Sequence, residues 1–215
     1  MTRRGMKPTT LAPPAVDIHS VQMARKLGLL VTLATFAALF FFCGPRWSFE
    51  VHETMRWLGG ALIFVCISGR TWCSLYIGGR KTHELVTTGP YSVSRNPLYF
   101  FSIVGAVGVG AQFGAVTVAI LAGVCAWLVH IIVVRQEERL LLAAHGEPYA
   151  RYLAEVPRFW PRFSRWKNVD VLEVLPRTVA RTFIDALFFL AAIPVAAVFD
   201  LLHHLGLVRV FLLLP

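Results

Sequence analysis

Charge is what this chain has least of. Only 15% of its 215 residues are Asp, Glu, Lys or Arg, while 56% are hydrophobic, and the mean hydropathy is +0.62. Soluble domains carry roughly 25% charged residues. A water-covered globule is therefore excluded, because the polar residues are too few to cover its core. Acidic residues are the scarcer sign, 12 against 21 basic ones, for a net charge of +9. A basic excess serves either nucleic acid or an anionic lipid surface. Here the basic residues flank apolar runs and form no stripe on a soluble face, which argues against nucleic acid and for lipid. Cysteine is sparse too. Cys43, Cys66, Cys73 and Cys125 sit within or at the end of apolar runs with no CxxC pair. They read as small buried apolar residues; Cys66 and Cys73 share a helix face, but two thiols are a weak metal signal. There is no internal repeat and no low-complexity tract. The C-terminus, Phe211 to Pro215, carries no prenylation box. No small-residue cleavage site follows the first apolar run, which ends Phe40-Phe41-Phe42-Cys43-Gly44. That run reads as an uncleaved signal anchor.

What the chain has in quantity is apolar runs, at 27–43, 57–77, 98–112, 114–134 and 183–202. A spanning helix needs about 20 residues, with a range of roughly 17–25. The pattern predicts an all-α, polytopic membrane bundle of about five transmembrane helices. It places an N-terminal tail at 1–26, a single membrane domain at 27–202 and a short C-terminal tail at 203–215. The third run is short and only Phe113 separates it from the fourth, so 98–112 and 114–134 read as a tight helical hairpin. Pro194 predicts a kink in the fifth run.

Lys and Arg counts set the orientation. The N-terminal tail holds five, the 78–97 loop three and the 135–182 connection nine. The 44–56 loop holds two, the hairpin turn none and the C-terminal tail one. The N-terminus and the two basic connections are thus expected in the cytoplasm, with the C-terminus on the opposite side. The remaining basic residue, Arg70, lies inside the second run. A central Arg costs about 2.5–3.5 kcal/mol on insertion scales, so it is expected to face the bundle interior and find a partner. Two roles stand open for it: a structural bond to carbonyls or to Asp185, or a contact to an anionic group of a ligand. The Pro-, Arg- and Trp-rich stretch 158–178 suits an interfacial loop or short amphipathic helix. Asp200, His203 and His204 suit an ordinary wet interface at the far end of the fifth run.

Two polar segments on the basic side carry the chemistry. The first runs His83-Glu84-Leu85-Val86-Thr87-Thr88-Gly89-Pro90-Tyr91-Ser92-Val93-Ser94-Arg95-Asn96-Pro97-Leu98-Tyr99. Gly89-Pro90 is a turn signal. Pro97 opens the next helix with Asn96 as its N-cap, and a helix N-terminus with Arg95 beside it suits a carboxylate. Tyr91 and Tyr99 offer ring faces or hydroxyls to a purine or ribose. The second runs from Arg135 through Glu137-Glu138 to His145-Gly146-Glu147-Pro148-Tyr149 and Tyr152. Glu137 and Glu138 lie about 100° apart on a helix. One can face a site while the other pairs with Arg135 or Arg139; a solvated salt-bridged helix end is the plainer alternative.

Together these segments resemble the membrane methyltransferases that include isoprenylcysteine carboxyl methyltransferase and the phospholipid N-methyltransferases. The resemblance lies in His83-Glu84-Leu85-Val86, Gly89-Pro90-Tyr91, Arg95-Asn96-Pro97-Leu98-Tyr99, Glu137-Glu138, Gly146-Glu147-Pro148-Tyr149 with Tyr152, and Val156-Pro157-Arg158, in the family's order and spacing across about 57–162. It implies S-adenosylmethionine as methyl donor, bound on the cytoplasmic side. The implied cofactor contacts are His83, Glu84, Leu85, Val86, Tyr91, Asn96, Pro97, Leu98, Tyr99 and Glu137. Arg95, Arg135 and Glu138 are the candidates for catalysis, and Arg135 and Arg70 for holding an acidic acceptor. Gly108-Val109-Gly110 matches a Gly-x-Gly of the phospholipid branch, with helix packing through small residues as the alternative.

One departure bears on the acceptor. The family's Arg-His-Pro reads Arg95-Asn96-Pro97 here, and Asn cannot titrate near neutral pH as His does. Methylation of a carboxylate needs no base, since that nucleophile is ionised at pH 7. The expected activity is therefore methyl transfer to a lipophilic acceptor entering from the bilayer, an isoprenylcysteine-type carboxylate or related lipid. A phospholipid headgroup amine and a small thiol are the alternatives among enzymes; a small transporter subunit or scaffold is the alternative outside them.

Overall fold

The computed structural model describes residues 43–45, 48–78, 84–208 and 212–214. The expected N-terminal tail and all but the end of the expected first span lie outside the described residues. The elements are a short strand β1 (Cys43–Pro45), helix α1 (Phe49–Ile77), a single turn α2 (Pro90–Val93), α3 (Pro97–Ala111), α4 (Val116–His145) and α5 (Glu147–Glu155). A 3-10 turn (Phe163–Arg165), α6 (Pro176–Leu187), a second 3-10 turn (Phe188–Ala191), α7 (Ala192–His204) and β2 (Leu212–Leu214) complete the chain. The fold is all-α but for one parallel pair, in which Cys43 registers with Leu212 and Pro45 with Leu214.

Three helical stretches are long and apolar enough to cross a membrane: Phe49–Ile77, Val116–His145 and Pro176–His204, of 29, 30 and 29 residues. The protein is an integral membrane protein. The expected second and fourth spans are present but longer than the apolar runs. Each continues out of the hydrocarbon as a helix, because charged residues outside the lipid do not break helical hydrogen bonding. The expected short third span is α3, with 15 residues. At 1.5 Å per residue it reaches about 22 Å, less than the roughly 30 Å hydrocarbon thickness. The expected fifth span begins earlier, at Pro176, and is broken by the 3-10 turn at Phe188–Ala191. Pro194 has no N–H for the Leu190 carbonyl, so the helix tightens one turn before it.

Glycine holds α1 against α3. A Cβ on Gly59 would come 2.7 Å from the Gly108 carbonyl oxygen, and one on Gly108 would come 2.8 Å from that of Gly59. The two backbones therefore touch, as small residues permit in membranes. Gly110 lies equally close to the α4 backbone at Ala119. The Gly108-Val109-Gly110 stretch thus serves packing. Gly108→Val is expected to destabilise the bundle by about 1–3 kcal/mol, because neither backbone can retreat; a thermal melt in detergent measures it.

The bundle has two distinct ends. At one, Arg56 near the start of α1 bonds Asp200 of α7 at 2.7 Å, and Gln112 of the hairpin turn donates to the Arg56 carbonyl at 2.9 Å. Asp200 is thus an ion-pair partner at a partly exposed end of the bundle. At the other end lie the end of α1, the 84–96 segment, the exit of α4, all of α5 and the start of α6. A pocket at that end is lined from all of these, the short turn included through Tyr91, and from the start of α3.

Candidate active site

The site is built on a turn that only glycine can open. Gly89 has φ +57°, and a Cβ there would run into the Tyr76 ring. With Pro90 at the first helical position, the chain makes one turn through Val93 and re-enters the membrane at Pro97. All four residues of the turn are buried. They are held by the 156–167 segment, which runs alongside. Gly89 N–H donates to Lys167 O at 2.8 Å, and Lys167 N–H donates to Ser92 Oγ at 3.0 Å. Ser94 Oγ donates to Phe159 O at 3.0 Å, Arg95 N–H to Pro157 O at 2.9 Å and Arg162 N–H to Val93 O at 2.9 Å. The expected interfacial stretch at 158–178 is thus mostly extended loop, and its first part is a strap across the turn.

Behind the turn lies a cavity of about 230 Å³. Of the residues singled out from sequence, Glu84, Leu85, Val86, Tyr91, Asn96, Leu98, Tyr99 and Glu137 line it, together with Arg70, Arg95 and Glu138. Pro97 is buried at the start of α3 but is not part of the lining. His83 lies outside the described residues. The structure adds Ile77, Leu141, Tyr149, Tyr152 and Thr182. Tyr149 and Tyr152 form a buried cluster with Val156, against which Leu85 and Leu141 pack. Their motif was visible in sequence, but their burial inward was not. Thr182 comes from α6, where no motif pointed to it.

The adjacent glutamates diverge. Glu137 accepts a 2.9 Å hydrogen bond from the Tyr99 hydroxyl. Glu138, 8% exposed, receives two guanidinium groups: Arg95 at 3.0 Å and Arg158 at 2.6 Å. Its expected partners, Arg135 and Arg139, are both exposed on α4. The reason is direction: Glu138 points into the bundle end where the strap passes, and Arg135 does not. Arg95 and Glu138 thus line the cavity as an ion pair that also ties down the strap. The Arg158 guanidinium is held charged even more firmly than usual by that hydrogen bond.

Asn96 stands at the α3 N-cap, yet its side chain makes no cap bond. It donates instead to Arg158 O at 3.2 Å. Arg70 donates to Ser102 of α3, while Asp185 stands exposed on α6. The Arg70 partner is therefore a hydroxyl, and the cation keeps its place in the cavity wall. Arg135, expected to hold the acceptor, lies outside the cavity. Arg135→Ala is expected to change ligand affinity by less than about threefold, as for surface substitutions generally. Arg70→Ala, which alters the cavity wall, is expected to weaken a ligand bound in the cavity at least tenfold. Side-by-side assays of the two variants measure the contrast.

Several polar atoms in this region are buried with no partner among the described residues: Tyr91 Oη, Arg70 Nε and Arg95 Nε. Buried polar groups are nearly always bonded, so a cluster of orphans around one cavity marks a place for a polar ligand. Burial pushes the Tyr91 hydroxyl well above its ordinary pKa and the Tyr149 hydroxyl up to about 12. Both stay protonated, and able to donate, across the physiological range.

Comparison with known proteins gives this geometry a family. The sequence model of the phospholipid methyltransferase family matches residues 54–147. The chain belongs to that family. Two relatives match along their whole length. The cobalt-zinc-cadmium resistance protein CzcN of Cupriavidus metallidurans is 32% identical over 211 residues, covering 97% of each chain. The nickel-cobalt-cadmium resistance protein NccN of Alcaligenes xylosoxydans xylosoxydans is 32% identical over 215 residues, covering 98% of each. No solved structure matches significantly. The phospholipid methyltransferase match begins within α1 and ends at the start of α5, so it holds most of the cavity wall but neither the strap nor α6. Among the described residues, no three His, Cys, Asp or Glu are grouped to hold a metal ion.

Proposed function

We propose that this membrane methyltransferase homologue binds S-adenosylmethionine in the cavity behind the Gly89–Asn96 turn and methylates a lipophilic acceptor drawn from the bilayer. The observation that carries the reading is the convergence on one cavity of eight of the ten expected cofactor contacts, with the orphaned Tyr91 hydroxyl among them. The donor set fits the molecule. Glu84 and Glu137 suit an ammonium or ribose hydroxyls, the guanidinium edge of Arg95 suits a carboxylate, and Leu85, Val86 and Leu98 give an apolar wall to an adenine ring.

When bound, S-adenosylmethionine supplies a methyl group on a cationic sulfonium, which an acceptor's lone pair takes in line. The chain's contribution is alignment and exclusion of water. Well-oriented intramolecular reactions gain about 7–11 kcal/mol, and a dry site suppresses hydrolysis. No histidine is among the residues that line the cavity; of its carboxylates, Glu137 accepts from Tyr99 and Glu138 is paired with Arg95 and Arg158. Asn96 cannot take a proton, and its amide is spent on the Arg158 carbonyl. The acceptor is therefore one that arrives ionised, with a carboxylate favoured over an amine. Arg70, at the membrane-embedded side, holds such an anion.

In this reading the cavity opens to the cytoplasm, following the Lys and Arg bias of its loops. The names of the two full-length relatives add a setting, tolerance of divalent transition metals, which the methylated product would serve. The test is mass spectrometry of membrane extracts from cells with and without the protein, grown on labelled methionine. A labelled lipophilic ester is the expected result. Labelled phosphatidylcholine would favour the headgroup amine as acceptor, and no labelled product would remove the activity.

A further inference from the structure

A second cavity lies on the outer side of the same turn. It also measures about 230 Å³, and its lining includes Thr87, Ser92, Arg151, Glu155, Arg165 and Lys167. Three of these are cations and one is an acid. Arg165 already engages Glu155 at 2.5 Å, and Arg151 reaches its nearest acid, Glu147, at only 3.9 Å. The hydroxyls of Ser92 and Tyr152 donate to Gly89 O and Tyr91 O, so it is the excess of positive charge, Arg151 and Lys167 above all, that gives the groove the chemistry of a phosphate site.

The neighbours of these cations say what carries the phosphate. Arg165 and Lys167 alternate with large aromatics on the strap: Trp160 is 79% exposed and Phe163 71%. Trp166 stacks on Trp72 of membrane-spanning α1, with ring centroids 5.5 Å apart. Trp160 packs edge-on to Phe100 of α3 at 6.1 Å. These contacts tie the strap to the level where α1 and α3 leave the lipid. Trp and Phe next to Arg and Lys at that depth match an interface of acyl chains and headgroups. A site for a soluble anion would have no use for the exposed aromatics.

We propose that this groove binds the phosphate of an anionic phospholipid headgroup, with the strap aromatics seated in the bordering leaflet. The proposal does not depend on the methyl-transfer reading. It does have a consequence for the site. The groove and the first cavity share Tyr152, whose hydroxyl donates to the Tyr91 carbonyl at 2.7 Å. Lys167 lines the groove, and its backbone makes the bonds that hold Gly89 and Ser92. A lipid that fixes the strap therefore also fixes the turn that walls the first cavity.

The experiment is a quench of tryptophan fluorescence. The full chain, purified in neutral detergent, is titrated with brominated phosphatidylglycerol or brominated phosphatidylcholine, with and without inorganic phosphate. Expected is tighter binding of phosphatidylglycerol, weakened about fivefold for each cation removed in Arg151→Gln and Lys167→Gln and retained in Lys167→Arg. Both substituted residues are exposed, so the variants fold; gel filtration checks this. Equal quenching by the two lipids would overturn the proposal, as would a preference unchanged in the double variant. Full competition by inorganic phosphate would make the groove a free-anion site and overturn the lipid assignment. Loss of S-adenosylmethionine binding with the lipid preference intact would bear on the first cavity alone.

Discussion

Glu138→Ala is expected to destabilise the protein more than any other single change at the site, by about 3 kcal/mol. The carboxylate is nearly fully buried and sits between the guanidinium groups of Arg95 and Arg158. Removing it leaves two cations facing each other. Breaking a buried ion pair costs roughly 3–5 kcal/mol, and the lower end applies because Arg158 is 34% exposed and water can reach it. The damage spreads, because Arg158 also accepts the Asn96 amide through its carbonyl and continues into the strap. Glu138→Gln keeps the shape and half of the hydrogen bonding, so an intermediate loss is expected. Thermal melts in detergent rank the three proteins. If Glu138→Ala melted with wild type, the carboxylate would not be the anchor described here.

Tyr91→Phe is expected to move stability and affinity in opposite directions. The hydroxyl is buried without a partner among the described residues. Leaving such a group unsatisfied costs about 1–3 kcal/mol, so its removal should leave the empty protein as stable as before or about 1 kcal/mol more so. If a bound ligand accepts the hydroxyl's hydrogen bond, the same substitution should weaken that ligand about tenfold. A hydroxyl with a purely structural role cannot produce this pair of results. A melt without ligand and a titration with it read the two halves separately.

Much of the fold was legible because it rests on long-range composition. Apolar runs marked every described membrane helix, and the short run at 98–112 announced the short α3. One helix end was not legible: Phe49 to Arg56 is polar enough to look like loop, yet it continues α1, since helices extend past the lipid when nothing breaks them. The continuation of α4 past Arg135 was legible, because Glu137 and Glu138 follow the fourth apolar run without a helix breaker. The 3-10 turn at Phe188–Ala191 was foreshadowed by Pro194, though it falls a turn earlier. The parallel pair of Cys43–Pro45 with Leu212–Leu214 joins residues too distant for any local pattern to show.

The site divides in the same way. Residues that line the cavity from the 84–99 segment came from an ordered motif, and the structure places them together. The divergence of Glu137 and Glu138 followed from helical spacing alone. Their partners did not, because Arg95 and Arg158 meet Glu138 only through the tertiary path of the strap. Arg135 lies outside the cavity for the same reason: charge next to a motif says nothing about direction. Thr182 left no signal, since a single Thr in an amphipathic helix looks like any other.

The central claim is that the cavity behind the turn holds S-adenosylmethionine. Isothermal titration of the purified full chain tests it most directly, using wild type, Tyr91→Phe and Glu137→Gln. The account predicts saturable binding by wild type and at least tenfold weaker binding by each variant, with all three proteins folded. No binding by wild type, or equal binding by all three, would contradict it.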